Sequence, residues 1–298
     1  MSNVTYLHGD LHAEKAWTLF RAARNGECVA ALGRDAALGS VLVRARSLLR
    51  LDDPFGALDS LRQIEPPYDD VHHLAEYHVL SGLSLARCGR GNDAGAQFGI
   101  AEHSARRAGG AAAAELALCR AAGALIARDV DSAMRIAVSA RNITPVPEDP
   151  YSIPFAVIGA ELLDLLADLA AYHEDLRAAA VLLVEAWNML CPLAGEQRDV
   201  WLQASVLRKL APLVLDLHLV DEAAVLGQEA SRIQWAPEIR TARYVVSRVL
   251  AWHAALRGDH FAAFARFREC IDLAPADPWL VASMLDRANL AAELRERV

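Results

Sequence analysis

The stretch GDHFAAFARFRECIDLAP, residues 258–275, decides how this chain is read. Gly258 permits a tight turn. Ala263, Phe267 and Cys270 then recur at three- and four-residue spacing, so they share one face of a helix. Pro275 ends that helix, because proline lacks an amide donor and its ring clashes with the preceding turn. Twelve residues before Ala263, Ala251 lies in another helical run, so the unit is two helices joined at Gly258.

This pattern resembles the tetratricopeptide repeat, a 34-residue helix–turn–helix with small residues at positions 8, 20 and 27, an aromatic at 24 and a proline at 32. Ala251, Ala263, Phe267, Cys270 and Pro275 fall on those five positions, with Gly258 in the turn. Small residues at 8 and 20 let the two helices of a hairpin approach closely. The small residue at 27 serves the contact with the next unit, and the large one at 24 fills the space left over.

Upstream, the same template finds five looser copies. Ala94, Phe98 and Ala101 follow Gly82; Ala133, Ala137 and Ala140 follow Ala121, with Pro145 at the end. Ala179, Leu183 and Ala186 follow Ala167; Ala223, Gly227 and Ala230 follow Ala211; Ala57 and Leu61 follow Ala45. Successive position-20 alanines are 37, 39, 46, 44 and 40 residues apart, so the units are longer than the tight form and resemble long-helix variants of bacterial regulatory proteins. The resemblance predicts an all-α, right-handed α-solenoid of about six hairpins over residues 35–275. An atypical helical cap precedes it at 1–34, with a helix from Leu11 to Ala23 carrying Trp17 and Phe20. A C-terminal capping helix follows at 276–298, opened by Asp277, Pro278 and Trp279. The proline-dense segment 143–154 falls in the longest spacing and is read as an inter-unit loop or hinge.

Composition agrees with helices. Of 298 residues, 54% are hydrophobic, with only 17 glycines and 12 prolines to turn many short strands. A net charge of −8 speaks against direct nucleic-acid binding, which needs clustered cations to displace counterions from phosphates. Lysine occurs only at Lys15 and Lys209; the remaining cations are arginine. Five cysteines at 28, 88, 119, 191 and 270 form no C-x-x-C, which argues for reduced, buried thiols rather than disulfides or zinc. The start of the chain has no charged-then-apolar signal, and the longest apolar run, Ala178–Val184, is too short for a membrane span. A cytoplasmic protein with no membrane partner is expected.

Catalytic motifs are not apparent. His72, His73 and His78 point in different directions on a helix, so no metal is expected there. His173-Glu174 has arginine where a zinc motif needs its second histidine. Gly89-Arg-Gly91 has no preceding strand and reads as a turn. Glu161, Asp164 and Asp168 share a helix face that could pair acids as a glycosidase does, but an acidic strip or a solvated surface is the commoner outcome. No catalytic residue or cofactor is assigned.

In the tetratricopeptide family a partner lies in a concave groove lined by helix A at positions 2, 5, 9, 12 and 13. Carried over, these are Arg46 and Arg50, then Glu76 and Arg87, then Glu115 and Leu118. Glu161, Asp164, Asp168 and Tyr172 follow, then Arg208, and last Arg248 and Trp252. The lysine and asparagine of chaperone-binding members are absent from this set. The resemblance implies a non-catalytic scaffold or adaptor for a protein or peptide segment, anchored by Trp252 and Tyr172, with a homodimer left open. The alternative is a ligand- or peptide-responsive regulatory module acting on a transcription or signalling partner. A helical enzyme on a similar solenoid would instead show a deep, closed pocket.

Overall fold

The computed structural model describes residues 11–33, 37–141, 155–193, 198–216, 220–231, 233 and 240–274. The proline-dense segment 143–154, Pro275, the helix expected over 276–298 and the side chain of Ala223 lie outside the described residues.

Among the described residues there is no strand, and fourteen helices pair into hairpins. These are α1 (Leu11–Arg21) with α2 (Asn25–Leu32), α3 (Leu38–Arg50) with α4 (Pro54–Leu61), and α5 (Val71–Arg87) with α6 (Gly91–Ala108). Next come α7 (Gly110–Ile126) with α8 (Val130–Ala140) and α9 (Phe155–Tyr172) with α10 (Leu176–Leu190). The last are α11 (Val200–Asp216) with α12 (Val220–Ser231) and α13 (Arg240–Leu256) with α14 (His260–Leu273). Each odd-numbered helix packs on the next odd-numbered one, from α1 through α13. Each even-numbered helix packs on its own partner, and those from α2 to α12 also pack on the first helix of the following hairpin. The chain is thus an all-α solenoid whose first helices form one continuous layer.

The small residues of the template are where the helices touch. Ala57, Ala94, Ala133, Ala179 and Ala263 are at most 3% exposed. Ala45, Ala121, Ala167, Ala211 and Ala251 are equally buried on the facing helices. At Gly82 the approach leaves no room for any side chain: a Cβ there would stand 2.5 Å from Cε1 of Phe98. The aromatic ring at position 24 fills the space that the missing side chain leaves at position 8.

The turns inside the hairpins share a second device. Ala23, Asp52, Gly89, Arg128, Glu174 and Gly258 all adopt the left-handed backbone conformation, with φ between 59° and 76°. The residue that follows starts the second helix. In four hairpins it is an aspartate whose carboxylate accepts from the amide three residues on: Asp53 from Gly56, Asp129 from Ser132, Asp175 from Ala178 and Asp259 from Ala262, at 2.8–3.1 Å. Each satisfies one of the amides that a helix start leaves unpaired.

The opening segment is a two-helix hairpin: α1 covers the helix expected from Leu11, and α2 follows the Ala23 turn and buries Cys28 and Leu32. The buried positions of α2, Asn25, Cys28 and Leu32, keep helical spacing, but the first is polar, so the apolar pattern alone marks only two of them.

Candidate functional site

The first helices of successive hairpins turn charged side chains towards one another. Arg46 of α3 donates from Nε to Glu76 Oε1 of α5 at 2.8 Å, and from Nη2 to Glu115 of α7. All three side chains are largely buried, at 11%, 21% and 13% exposure. Burial works against the charge on Arg46, but Glu115 and Glu76 outweigh it and raise its pKa above the ordinary value. Glu115 is also raised: burial is the main cause, and Arg46 offsets part of it.

One turn along α3, Arg50 reaches much further in sequence. Its Nη2 donates to Asp199 Oδ2 at 2.5 Å, and its Nη1 to the backbone oxygen of Phe20 at 3.2 Å. The guanidinium carbon lies 3.8 Å from the centroid of the Phe20 ring. Asp199 also caps α11, accepting from the Leu202 amide at 3.0 Å. Arg87 donates to the Leu49 carbonyl at 2.6 Å, at the end of α3 where helix carbonyls lack internal partners. Glu161 of α9 faces this group with no hydrogen-bond partner among the described residues. Its pKa is lifted to about 7, first by burial and then by the charge of Asp199, against the pull of Arg50 and Arg46. Burial and Glu115 likewise push the Cys119 thiol well up.

The other groove positions are placed differently. Asp164 and Asp168 both accept from Lys209 Nζ of α11, at 2.8 and 2.7 Å, so the acidic strip carries its own cation. Asp164 is raised by burial, which Lys209 partly offsets, and its Oδ1 has no partner. Tyr172 is 69% exposed and meets His173 edge-on. Leu118 packs into the core between α7 and α9. Arg208 is exposed. The guanidinium of Arg248 lies 5.8 Å from the Tyr244 ring. Trp252 is half-buried, edge-on to Phe267 at 5.8 Å, so it is partly core and partly surface. The histidines of α5 go separate ways: His73 bonds Asp70, His78 bonds Gln97, and His72 is exposed.

Sequence reasoning missed Phe20, Asp199 and Lys209 as members of this face. Asp199 carried a local signal, an aspartate just before a helix, but nothing local ties it to Arg50.

A cavity of about 380 Å³ opens between α7, α8, α9 and α10, where the unit spacing is longest. Its wall is mainly Ala114, Ala140, Ile158, Leu162, Leu163 and Met189. Asn188 and the half-exposed Arg141–Glu185 pair, 2.5 Å apart, supply its polar groups.

No protein-family model and no curated protein matches the sequence. Solved structures do match the fold. PilF of Pseudomonas aeruginosa is similar over 85% of this chain and 99% of its own, at 13% identity and a TM-score of 0.56. The human IFIT1 dimer with PPP-AAAA matches 96% of this chain at 14% identity and a TM-score of 0.54. A Pyrococcus horikoshii signal-transduction ATPase with a tetratricopeptide repeat sensor matches 89% at 13% identity and a TM-score of 0.51. This chain spans 63% of the IFIT1 chain and 43% of the ATPase chain. At such identities the likeness establishes the fold alone: a solenoid of tetratricopeptide-like hairpins.

Proposed function

We propose that this chain is a non-catalytic scaffold or adaptor that holds a protein or peptide segment against the layer formed by the first helices of its hairpins. One observation carries this reading: the inward layer presents arginine, carboxylate and aromatic side chains from α3 through α13, where an apolar core would bury only hydrocarbon. Along α3, α5, α7 and the start of α11 those charges already have partners within the chain. Further along, Arg208 is exposed and Trp252 keeps part of its ring at the surface. A segment docking there would use Trp252 as its apolar anchor and Arg208 and Arg248 for register. Aromatic residues and arginine are the types that most often dominate interface energy. A protein partner in a cytoplasmic setting, rather than nucleic acid, goes with the net charge of −8.

The test is titration calorimetry of the full chain with a partner captured from its native host. Arg248→Ala and Trp252→Ala should each weaken binding about tenfold or more, on the order of 1.4 kcal/mol. Unchanged affinity in both variants removes the model.

The cavity between α7 and α10 favours a second reading, a ligand-responsive regulatory module, since its size is within the range of small-molecule sites. A small molecule that raises the melting temperature of the wild type but not of Ala114→Phe would support it. A melting temperature indifferent to every compound tried would count against it.

A further inference from the structure

The end of α3 touches the start of α11, 149 residues away, through the Arg50–Asp199 ion pair. Helices α1, α2 and α3 do not pack extensively on α9 or α11, whereas each first helix packs on the first helix of the next hairpin. The contact comprises the Arg50–Asp199 ion pair, Phe20 beneath the guanidinium, the Phe20 carbonyl that Arg50 also binds, and Ala23, which joins the apolar cluster of α9–α13. Behind it lie the Arg46–Glu76–Glu115 group, Glu161 and Cys119.

We propose that this contact is a latch: the opening hairpin and α3 clasp the start of α11 and close the inner layer, and parting Arg50 from Asp199 opens it. The geometry favours such a division of labour. Stacking along the array rests on apolar packing within and between hairpins, in which the clasp takes part only through Phe20 and Ala23. The polar part of the clasp to α11 is one buried ion pair, and removing either partner leaves the other charge buried without that compensation. The other oxygen of Asp199 caps α11 through the Leu202 amide, a bond that does not use Arg50. Opening would uncover the Glu115 side of α7, one turn from Cys119, whose thiol packs at the edge of the α5–α7 apolar cluster. The latch as a gate for a docking segment rests on the scaffold reading; the closure itself does not.

Thiol labelling tests it on the full chain. Iodoacetamide modification is followed at each cysteine by peptide mapping, with exposed Cys191 as the reference and Cys270, buried in the last hairpin, as the reporter of global unfolding. Asp199→Asn keeps the cap, since asparagine caps as well as aspartate, and removes the charge. Arg50→Met keeps an unbranched chain over Phe20 and removes the opposite charge. By direct electrostatics the two variants would shift Cys119 reactivity in opposite directions. Opening instead predicts that both speed it at least tenfold relative to Cys191, with Cys270 unchanged and with Glu185→Gln, which breaks an unrelated ion pair, behaving as wild type. Acceleration at neither cysteine, at both equally, or in only one of the two variants overturns the latch. The outcome is independent of any partner, so the latch and the scaffold reading can fail separately.

Discussion

Glu174 sits at φ 62°, a conformation that costs an L-residue with a Cβ roughly 1–2 kcal/mol, yet its neighbour Asp175 caps the following helix. The turn therefore carries strain at one residue and relief at the next, and the two separate by mutation. Glu174→Gly should stabilise the chain by about 0.5–1 kcal/mol, while Asp175→Ala should destabilise it by about 1 kcal/mol. Denaturant unfolding followed by circular dichroism reads both; a loss of stability in Glu174→Gly would refute the assignment of strain. Gly82 is the opposite case, a glycine needed for space. Gly82→Ala drives a methyl into the Phe98 ring and should cost about 1–3 kcal/mol, with partial recovery in Gly82→Ala/Phe98→Leu. The alanines and Gly82 were legible because close approach admits few residue types. The turn device was not, because glycine announces a left-handed turn while Asp52, Arg128 and Glu174 do not. An aspartate four residues before each of Ala57, Ala133, Ala179 and Ala263 was the available signal.

Between elements, charges set the inner layer. The family resemblance placed Arg46, Arg50, Glu76 and Glu115 on first helices, but it could not say that they would face each other. Pairing across hairpins depends on superhelical curvature, which is the sum of small rotations at every interface. Glu161 makes the resulting electrostatics testable. Facing Arg50, Asp199, Arg46 and Glu115, its carboxyl holds its proton up to about pH 7, against an ordinary value near 4.5. The folded state therefore binds a proton that the unfolded state has released. Its relative stability falls as pH rises from about 4.5 and reaches its full loss above about 7. The loss is about 3 kcal/mol at most, and less to the extent that solvent reaches the carboxyl. Glu161→Gln should flatten the slope, leaving the part due to Glu115 and Asp164, and be the more stable protein at pH 8. A wild type whose melting temperature is flat across pH 5–8, or a variant that keeps the full slope, would contradict the burial of that carboxyl.

At the scale of the molecule, repeated hairpins create a layer that no single hairpin has. Each unit buries its own small residues and leaves its first helix to line a shared face, so function follows from stacking rather than from any motif. That is why the architecture was legible from alanine spacing while the site was legible only as a set of positions. Which of those positions stay open depends on contacts such as Arg50 with Asp199, which no periodicity encodes. The outer side gives a natural contrast: Val181 on α10 is 58% exposed and belongs to none of the inner contacts. Placing a photoreactive benzoylphenylalanine at Arg208 or at Val181, in the native host, asks which side a partner touches. The account predicts crosslinks to a discrete partner polypeptide from position 208 and not from 181. Crosslinks from 181 with none from 208 would contradict it.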